Sequence, residues 1–352
     1  MALPVLHVSI SVSEEIKMQH NMWTRSFSRA RLRRGSVQTP IRIRYRGGHT
    51  RNYPKKSYEM IIRGRTAHFN AEYDDPSLIR NALSFKFLEK IGLPSPKTRH
   101  YRIIWNGADK GVYLRLEAVK RRFFRIRGIS CKSLMYASND SANFSLICPD
   151  TGERKRSLFE GYTRVIGTAR DEEKLKSFIW HLNTLEGAEL YRYLNRRLDI
   201  GNYLRWLAGA VLTNNYDGFD QNYAIYEHRK SGKYRMIPWD YEGTWGRNCY
   251  GRRCSSEMVR IEGYNSLTEK LLRFPEVRSR YKKLLRRLLD RKFTVNYVMP
   301  IVNSLYRRIS DDVAKDSTRP HDLSDFRAEP DVIRTFIRER RAFLLRELER
   351  MS

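Results

Sequence analysis

The sequence predicts an α+β protein in two lobes, a β-rich lobe over residues 1–120 and a mainly helical lobe over 121–352. Three observations point there. Apolar residues alternate with charged ones in several short segments before residue 120, the period of half-buried strands. Beyond that point the apolar spacing is that of helices, with capping residues at their starts. The 352 residues also exceed what one small core ordinarily organises.

The elements follow in order. "LPVLHVSISV" (3–12) reads as a strand and "SEEIKMQHNMW" (13–23) as a helix capped by Ser13, with acidic residues in its first turn. "SRARLRRGSVQTP" (28–40) reads as a basic connector. In "IRIRYR" (41–46), Ile41, Ile43 and Tyr45 alternate with arginines, giving a strand. "GGHTRNYPKK" (47–56) is a basic turn, and "SYEMIIR" (57–63) is the next strand. Asp75 and Pro76 open a helix that Gly92 stops. "RHYRIIW" (99–105), Asn106–Gly107 and "GVYLRLEAV" (111–119) form a hairpin. Helices are expected over 171–184, 188–197 and 199–214, the last capped by Asp199, and again over 266–352 around a polar loop near 316–330.

Composition removes several function classes. Apolar content of 41% with 30% charged residues is polar but too apolar for disorder. No apolar run approaches the ~18 residues of a membrane span, "WLAGAVLTNNY" (206–216) being too short. The N-terminal residues lack the charged start and cleavage pattern of a signal peptide, so a soluble cytoplasmic protein is expected. The four cysteines have no C-x-x-C spacing and are expected reduced. The histidines form no H-E-x-x-H, and neither G-x-S-x-G nor a phosphate-binding loop occurs.

Charge is the strongest global feature: 68 Lys+Arg against 39 Asp+Glu, a net +29. Such a field attracts polyanions. The basic residues are scattered and no recognition motif accompanies them, so nucleic-acid binding ranks behind a plain arginine-rich surface.

The stretch that carries chemistry is "NNYDGFDQNYAIYEH" (214–228), followed by "YRMIPWDYEGTWGR" (234–247). Residues 222–228 and 233–239 read as strands joined by "RKSG". A turn centred near Ser231 sets Asn222 opposite Asp240, with Asp217 one short turn upstream. Three oxygen-bearing side chains then converge at the hairpin mouth. Phosphoryl transfer uses that set: a carboxylate that orients the attacking hydroxyl, and oxygen ligands for Mg²⁺. The protein-kinase order is a catalytic Asp, an Asn five residues on, a hairpin and a metal-binding Asp, which Asp217, Asn222 and Asp240 reproduce. The His-Arg before the first Asp and the Phe-Gly after the last are replaced by Asn-Tyr and Tyr-Glu. Read singly, each of the three is structural more often than not: Asp217–Gly218 as a turn dipeptide, Asn222 as a strand cap and Asp240 as a buried hydrogen-bonding carboxylate.

"YRGGHTRNYPKKSYEM", "HFNAEYDDPSLIRNALSFKFLEKIGLPSPKT", "NGADKGVYLRLEAV", "ANFSL", "YLRWLAGAVLTNNYDGFDQNYAIY", "IPWDYEGTWGR" and "EPDVI" resemble the spore coat protein H (CotH) family of endospore-forming bacteria, in order from about residue 40 to 335. The resemblance implies an atypical protein-kinase-like fold that uses ATP with Mg²⁺ or Mn²⁺ to phosphorylate Ser-rich spore coat proteins. The location it implies is the mother-cell cytoplasm and then the spore coat. Asp217 matches the family's catalytic aspartate and Asp240 its metal-binding one, while Asn222 fits a second metal ligand by spacing. Lys56, or else Lys55, is the candidate for the ATP phosphates, with a merely exposed basic turn as the alternative. Glu117 either pairs with that lysine or marks the lobe connection. Tyr136 and Trp245 either stack on adenine or are buried aromatics. One feature departs from the pattern: the family's substrates are rich in Lys and Arg, which a +29 enzyme repels unless its acidic residues gather locally. Two other classes stay open, a catalytically silent coat scaffold and a basic nucleic-acid binder. The sequence leaves the oligomeric state open.

Overall fold

The computed structural model describes residues 2–351, and these form two compact units. The first collects the chain up to Leu83, Pro96–Ala118 and Pro300–Asp331; the second collects Ser84–Ser95, Val119–Met299 and the residues from Val332 onward. Unit membership and chain order therefore differ at 84–95 and 300–331.

The first unit is built on a closed barrel of seven strands: β1 (Val5–Ser9), β2 (Ser28–Arg34), β3 (Val37–Arg46), β4 (Ser57–Ile62), β5 (Arg65–Asn70), β6 (Thr98–Trp105) and β7 (Ala108–Glu117). Neighbours pair antiparallel in the order β1-β2-β3-β4-β5-β7-β6, and a parallel pairing of β1 with β6 closes the ring. Closure leaves no sheet edge. Alternation fills the interior with residues such as Val8, Ile43, Met60, Phe69, Ile103 and Tyr113.

The expected connector over 28–40 is instead β2 and the start of β3. Ser28, Ala30 and Leu32 are buried while Arg29, Arg31 and Arg33 are exposed, so the strand period is present but carried by small residues among arginines. The helix expected from Ser13 spans Val12–His20, and its cap is Ser11, whose hydroxyl accepts from the Glu14 amide at 3.3 Å. The turn at Asn106–Gly107 has positive φ at both residues (48° and 87°), the geometry a two-residue hairpin requires.

Buried ions organise the rest of this unit. The helix expected from Pro76 begins only at Arg80. Before it, Asp75 accepts from the Ser77 and Arg80 amides, both at 2.9 Å, and Leu78 takes φ +56°. The fully buried Arg80 guanidinium lies 2.6 Å from Asp75 and 2.6 Å from Glu329. The polar loop expected to reach residue 330 ends early, because a helix runs from Leu323 to Arg350 with Pro330 inside it. Glu329, one residue before Pro330 in that helix, is held in the ion triad.

The second unit contains a four-stranded sheet ordered β11-β10-β8-β9, made of β8 (Cys131–Ala137), β9 (Tyr162–Ile166), β10 (Tyr223–His228) and β11 (Tyr234–Pro238). Helices Ala169–Thr184, Gly187–Arg197 and Ile200–Thr213 match the expected spacing, and Asp199 caps the last through the Asn202 amide at 3.0 Å. Helix Ile200–Thr213 is buried almost all round, which accounts for its apolar sequence. Among the described residues no helix is long and apolar enough to cross a membrane. None of the four cysteines is joined in a disulfide.

Candidate active site

Helix Ile200–Thr213 stops at Asn214, which adopts the left-handed conformation (φ 61°). Its side chain is fixed on both sides, accepting from the Val259 amide at 3.0 Å and donating to the Ser255 carbonyl at 3.0 Å. The chain then makes one short 3₁₀ turn, Tyr216–Gly218, which carries Asp217. Gly218 packs closely there, since a Cβ would lie 2.3 Å from the Asn215 side chain and displace it.

Both oxygens of Asp217 receive an amide. Gln221 Nε2 donates to Oδ1 at 2.9 Å and Asn222 Nδ2 donates to Oδ2 at 2.7 Å. Asn222 has φ +56°, and its backbone amide donates to the Ala137 carbonyl of β8 at 3.2 Å, so the residue is pinned where β10 begins. Asp240 follows β11 with φ +53°. Two non-glycine left-handed residues at one hairpin mouth are strained conformations of the kind that functional sites retain. The loop after Asp240 is tied back to the preceding helix, with Trp245 N donating to the Thr213 carbonyl at 3.0 Å.

The hairpin register differs from the expected one by one residue. Tyr223 faces Pro238 and Glu227 faces Tyr234. "RKSG" is a loop of four, an even number, so its centre falls between Lys230 and Ser231 and not on a residue; Gly232 supplies the positive φ (64°). By this register Asn222 stands across from Trp239, and Asp240 lies one residue beyond the pair. Asp240 is nonetheless close enough to Asp217 for their charges to repel.

The acidic side chains of the site repel one another. Asp217 is raised to about 6, first by burial, then by repulsion from Asp240 and Asp140, against the lowering effect of the Gln221 and Asn222 amides. Asp220 is also raised to about 6, by burial and by Asp140, with Lys155 opposing. Its Oδ1 is buried without a hydrogen-bond partner among the described residues. Asp140 sits in the turn just after β8, and that turn is locked in place. Tyr162 and Tyr223 hydroxyls both donate to the Ala142 carbonyl (2.9 and 2.5 Å), and Lys155 Nζ donates to Ser141 O, Asn143 Oδ1 and Ser145 O (2.5–2.9 Å). Burial lowers Lys155 to about 8.

Asp140, Asp220 and Gln221 were not expected from the sequence. Asp220 and Gln221 lie inside the quoted motif, and their spacing to Asp217 was the available signal. Asp140 gave none, because 77 residues (217 − 140) separate it from Asp217.

Among the described residues no group of three or more His, Cys, Asp or Glu is arranged to hold a metal. Asn222 and Asp240 offer one amide and one carboxylate oxygen, a set that fits Mg²⁺, which keeps several waters and commonly arrives with phosphate oxygens. The repulsion between Asp217 and Asp240 is what a divalent cation there would relieve.

The other expected site residues take separate places. Trp245 is fully buried: Phe293 stacks on it at 5.8 Å, Phe87 and Phe336 meet it edge-on, and Nε1 donates to Ser84 Oγ at 2.8 Å. It is a core residue and not an adenine platform. Tyr136 packs edge-on to Trp239 at 5.3 Å and donates to the Val119 carbonyl at 3.2 Å. In the first unit neither Lys55 nor Lys56 is on a strand, since β4 starts at Ser57. Lys55 is buried against Asp316 at 3.0 Å, and Asp316 also accepts from the Val112 amide at 2.8 Å. Lys56 Nζ donates to the Arg51 carbonyl at 2.5 Å. Glu117 ends β7 and accepts from the Lys97 amide at 3.2 Å.

Comparison with known proteins now bears on this geometry. The family model described as "CotH kinase protein" matches residues 43–344. This chain belongs to the CotH family. It is 38% identical over 349 residues to inner spore coat protein H of Bacillus subtilis (strain 168), covering 97% of this chain and 96% of that one. It is 28% identical over 306 residues to the inner spore coat protein H-like protein of the same organism, covering 84% and 87%. Among solved structures, the Helicobacter pylori proinflammatory kinase CtkA aligns with 84% of this chain and 95% of its own at 8% identity, with a TM-score of 0.35. The CotH match spans Asp217, Asn222 and Asp240 and both strands of the hairpin.

Proposed function

We propose that this CotH family member is an ATP-dependent protein serine kinase acting on Ser-rich spore coat proteins, first in the mother-cell cytoplasm and then in the spore coat. The observation that carries the proposal is Asp217, with both oxygens held by amides of its own loop and a second carboxylate, Asp240, within repelling range. A carboxylate raised to about 6 is ionised at neutral pH yet basic enough to take a proton.

Asp217 orients the acceptor serine and accepts its hydroxyl proton. The serine oxygen bonds to the γ-phosphorus of ATP as the bond to the bridging oxygen breaks and ADP leaves. Asn222 and Asp240 would hold Mg²⁺ or Mn²⁺, which would supply positive charge to offset that of the ATP phosphates. Gln221 and Asn222 keep the Asp217 carboxylate from rotating away from the acceptor. Lys56 is the residue of the first unit proposed for the ATP phosphates, because Lys55 is already committed to Asp316.

The acidic residues of the site also support a basic acceptor. Asp140, Asp217, Asp220 and Asp240 gather in a chain of net +29, a local negative field suited to a Lys- and Arg-rich acceptor. The deciding experiment combines purified protein, labelled ATP, Mg²⁺ or Mn²⁺ and a Ser-rich coat protein. Label on serine supports the proposal. ATP binding without transfer to any coat protein would make the chain a silent scaffold.

A further inference from the structure

The barrel of the first unit has an end that its own sequence leaves uncompensated. A cavity of about 570 Å³ opens there, within the size range of small-molecule sites. Its floor is apolar, made by the buried Leu6, Leu32, Ala67, Phe69 and Tyr101. Its rim is cationic, made by Arg34, Arg63, Arg65 and Arg115.

Register shows that three of these arginines belong to the inner face. Residues two apart on a strand share a face, as do directly paired residues. Arg34 follows the interior Leu32 by two, Arg65 precedes the interior Ala67 by two, and Arg115 pairs with the interior Phe69. Arg115 also stands directly across from Arg99 of β6, a like-charge pair that destabilises a sheet. None of the four rim arginines has an ion pair or side-chain hydrogen bond among the described residues. Glu117, two residues along the same face from Arg115, accepts from the Lys97 amide. Val37, paired with Arg34 at this rim, is an exposed apolar residue at 52%.

An apolar floor beneath inward arginines that repel one another selects one kind of ligand. We propose that the open end of the barrel binds an anionic amphiphile, with an apolar tail in the cavity and an oxyanion head on Arg34, Arg65 and Arg115. Charged hydrogen bonds from guanidinium to an oxyanion are the strong kind, and the buried tail adds affinity with each methylene. The site is independent of Asp217 and of phosphoryl transfer.

The test is calorimetric titration of the full chain with dodecanoate below its micelle concentration. Acetate (head alone) and dodecyltrimethylammonium (tail with opposite charge) are the comparators. One saturable dodecanoate site per chain is expected, with acetate and the cationic amphiphile at least about tenfold weaker. The triple variant Arg34→Gln, Arg65→Gln, Arg115→Gln should weaken dodecanoate by about tenfold or more. The triple Arg31→Gln, Arg33→Gln, Arg42→Gln, outward on β2 and β3 and equal in charge lost, should leave it unchanged. Equal losses from the two triples would assign binding to net charge and overturn the site. So would equal affinity for the cationic amphiphile, or the absence of saturable dodecanoate binding.

Discussion

The Asn222 amide reaches the Asp217 carboxylate at 2.7 Å across only four intervening residues, and both ends of that reach are fixed. Asp217 is set by the stop of helix Ile200–Thr213 and Asn222 by the β8 carbonyl it bonds. Changing either residue should disturb the orientation of the other before it disturbs folding.

Asp217→Asn should leave a folded protein that binds ATP and transfers phosphate roughly 10²–10⁴ times more slowly. An amide in that place cannot take the serine proton. Circular dichroism and nucleotide titration establish fold and binding, and labelled transfer gives the rate. Near-normal transfer with normal ATP binding would remove Asp217 from the role assigned to it.

The same carboxylate makes a stability prediction for the metal-free protein. Burial and its acidic neighbours raise Asp217 to about 6 in the fold, above the ~3.9 of an unfolded chain. Below pH ~4 it is protonated in both states and costs nothing. Above pH ~6 it is ionised in both, and the fold bears the full cost. Stability attributable to this group is thus lost as pH rises from ~4 to ~6. Relative to the parent, Asp217→Asn should gain up to about 3 kcal/mol across that window, measured by urea unfolding in chelator at pH 4, 5, 6 and 7. A constant difference across the series is the opposing result.

Much of this site was legible because its parts are near in sequence. Asp217, Asn222 and a hairpin ending near Asp240 can be read from spacing alone, and a one-residue error in the turn centre shifted the register without separating the carboxylates. Asp140 was not legible, because β8 brings it to the hairpin from 77 residues (217 − 140) upstream. The fold behaves likewise. Strands with Ile and Tyr on the inner face were readable, whereas β2 hid behind arginines at alternate positions. The motifs "DDPSLIRN" and "EPDVI" were recognisable as family text, but their reason is the buried Asp75–Arg80–Glu329 triad, a contact between residues about 250 apart. Trp245 shows the converse: an aromatic beside a functional loop gives no sign in sequence of whether its faces are open.

The two lysines of "PKKSY" should separate. Lys55→Ala leaves Asp316 buried without its cation, which costs on the order of 3–5 kcal/mol for a broken buried pair. Lys56 is less enclosed and holds only a carbonyl, so Lys56→Ala should lower nucleotide affinity at little cost in stability. Thermal melts and titration with a non-hydrolysable ATP analogue resolve the two. Equal loss of affinity at unchanged stability in both variants would mean the pair acts through bulk charge.

Asp240→Asn tests the metal. The repulsion between Asp217 and Asp240 is present in the protein alone, and the phosphates of ATP would add more negative charge. With Asn222 and Asp240 as the protein ligands, Mg²⁺ should raise ATP affinity in the parent, and that gain should vanish in Asp240→Asn. The variant should bind metal-free ATP no worse than the parent, because one repelling carboxylate has gone. It should also release Asp217 from part of its elevation, so the pH window above should move toward lower pH in Asp240→Asn even with no nucleotide present. Thermal shifts with ATP, with and without Mg²⁺, read the first effect, and urea unfolding in chelator reads the second. A variant that keeps the full Mg²⁺-dependent shift would place the metal on other residues, whatever happens to the pH window.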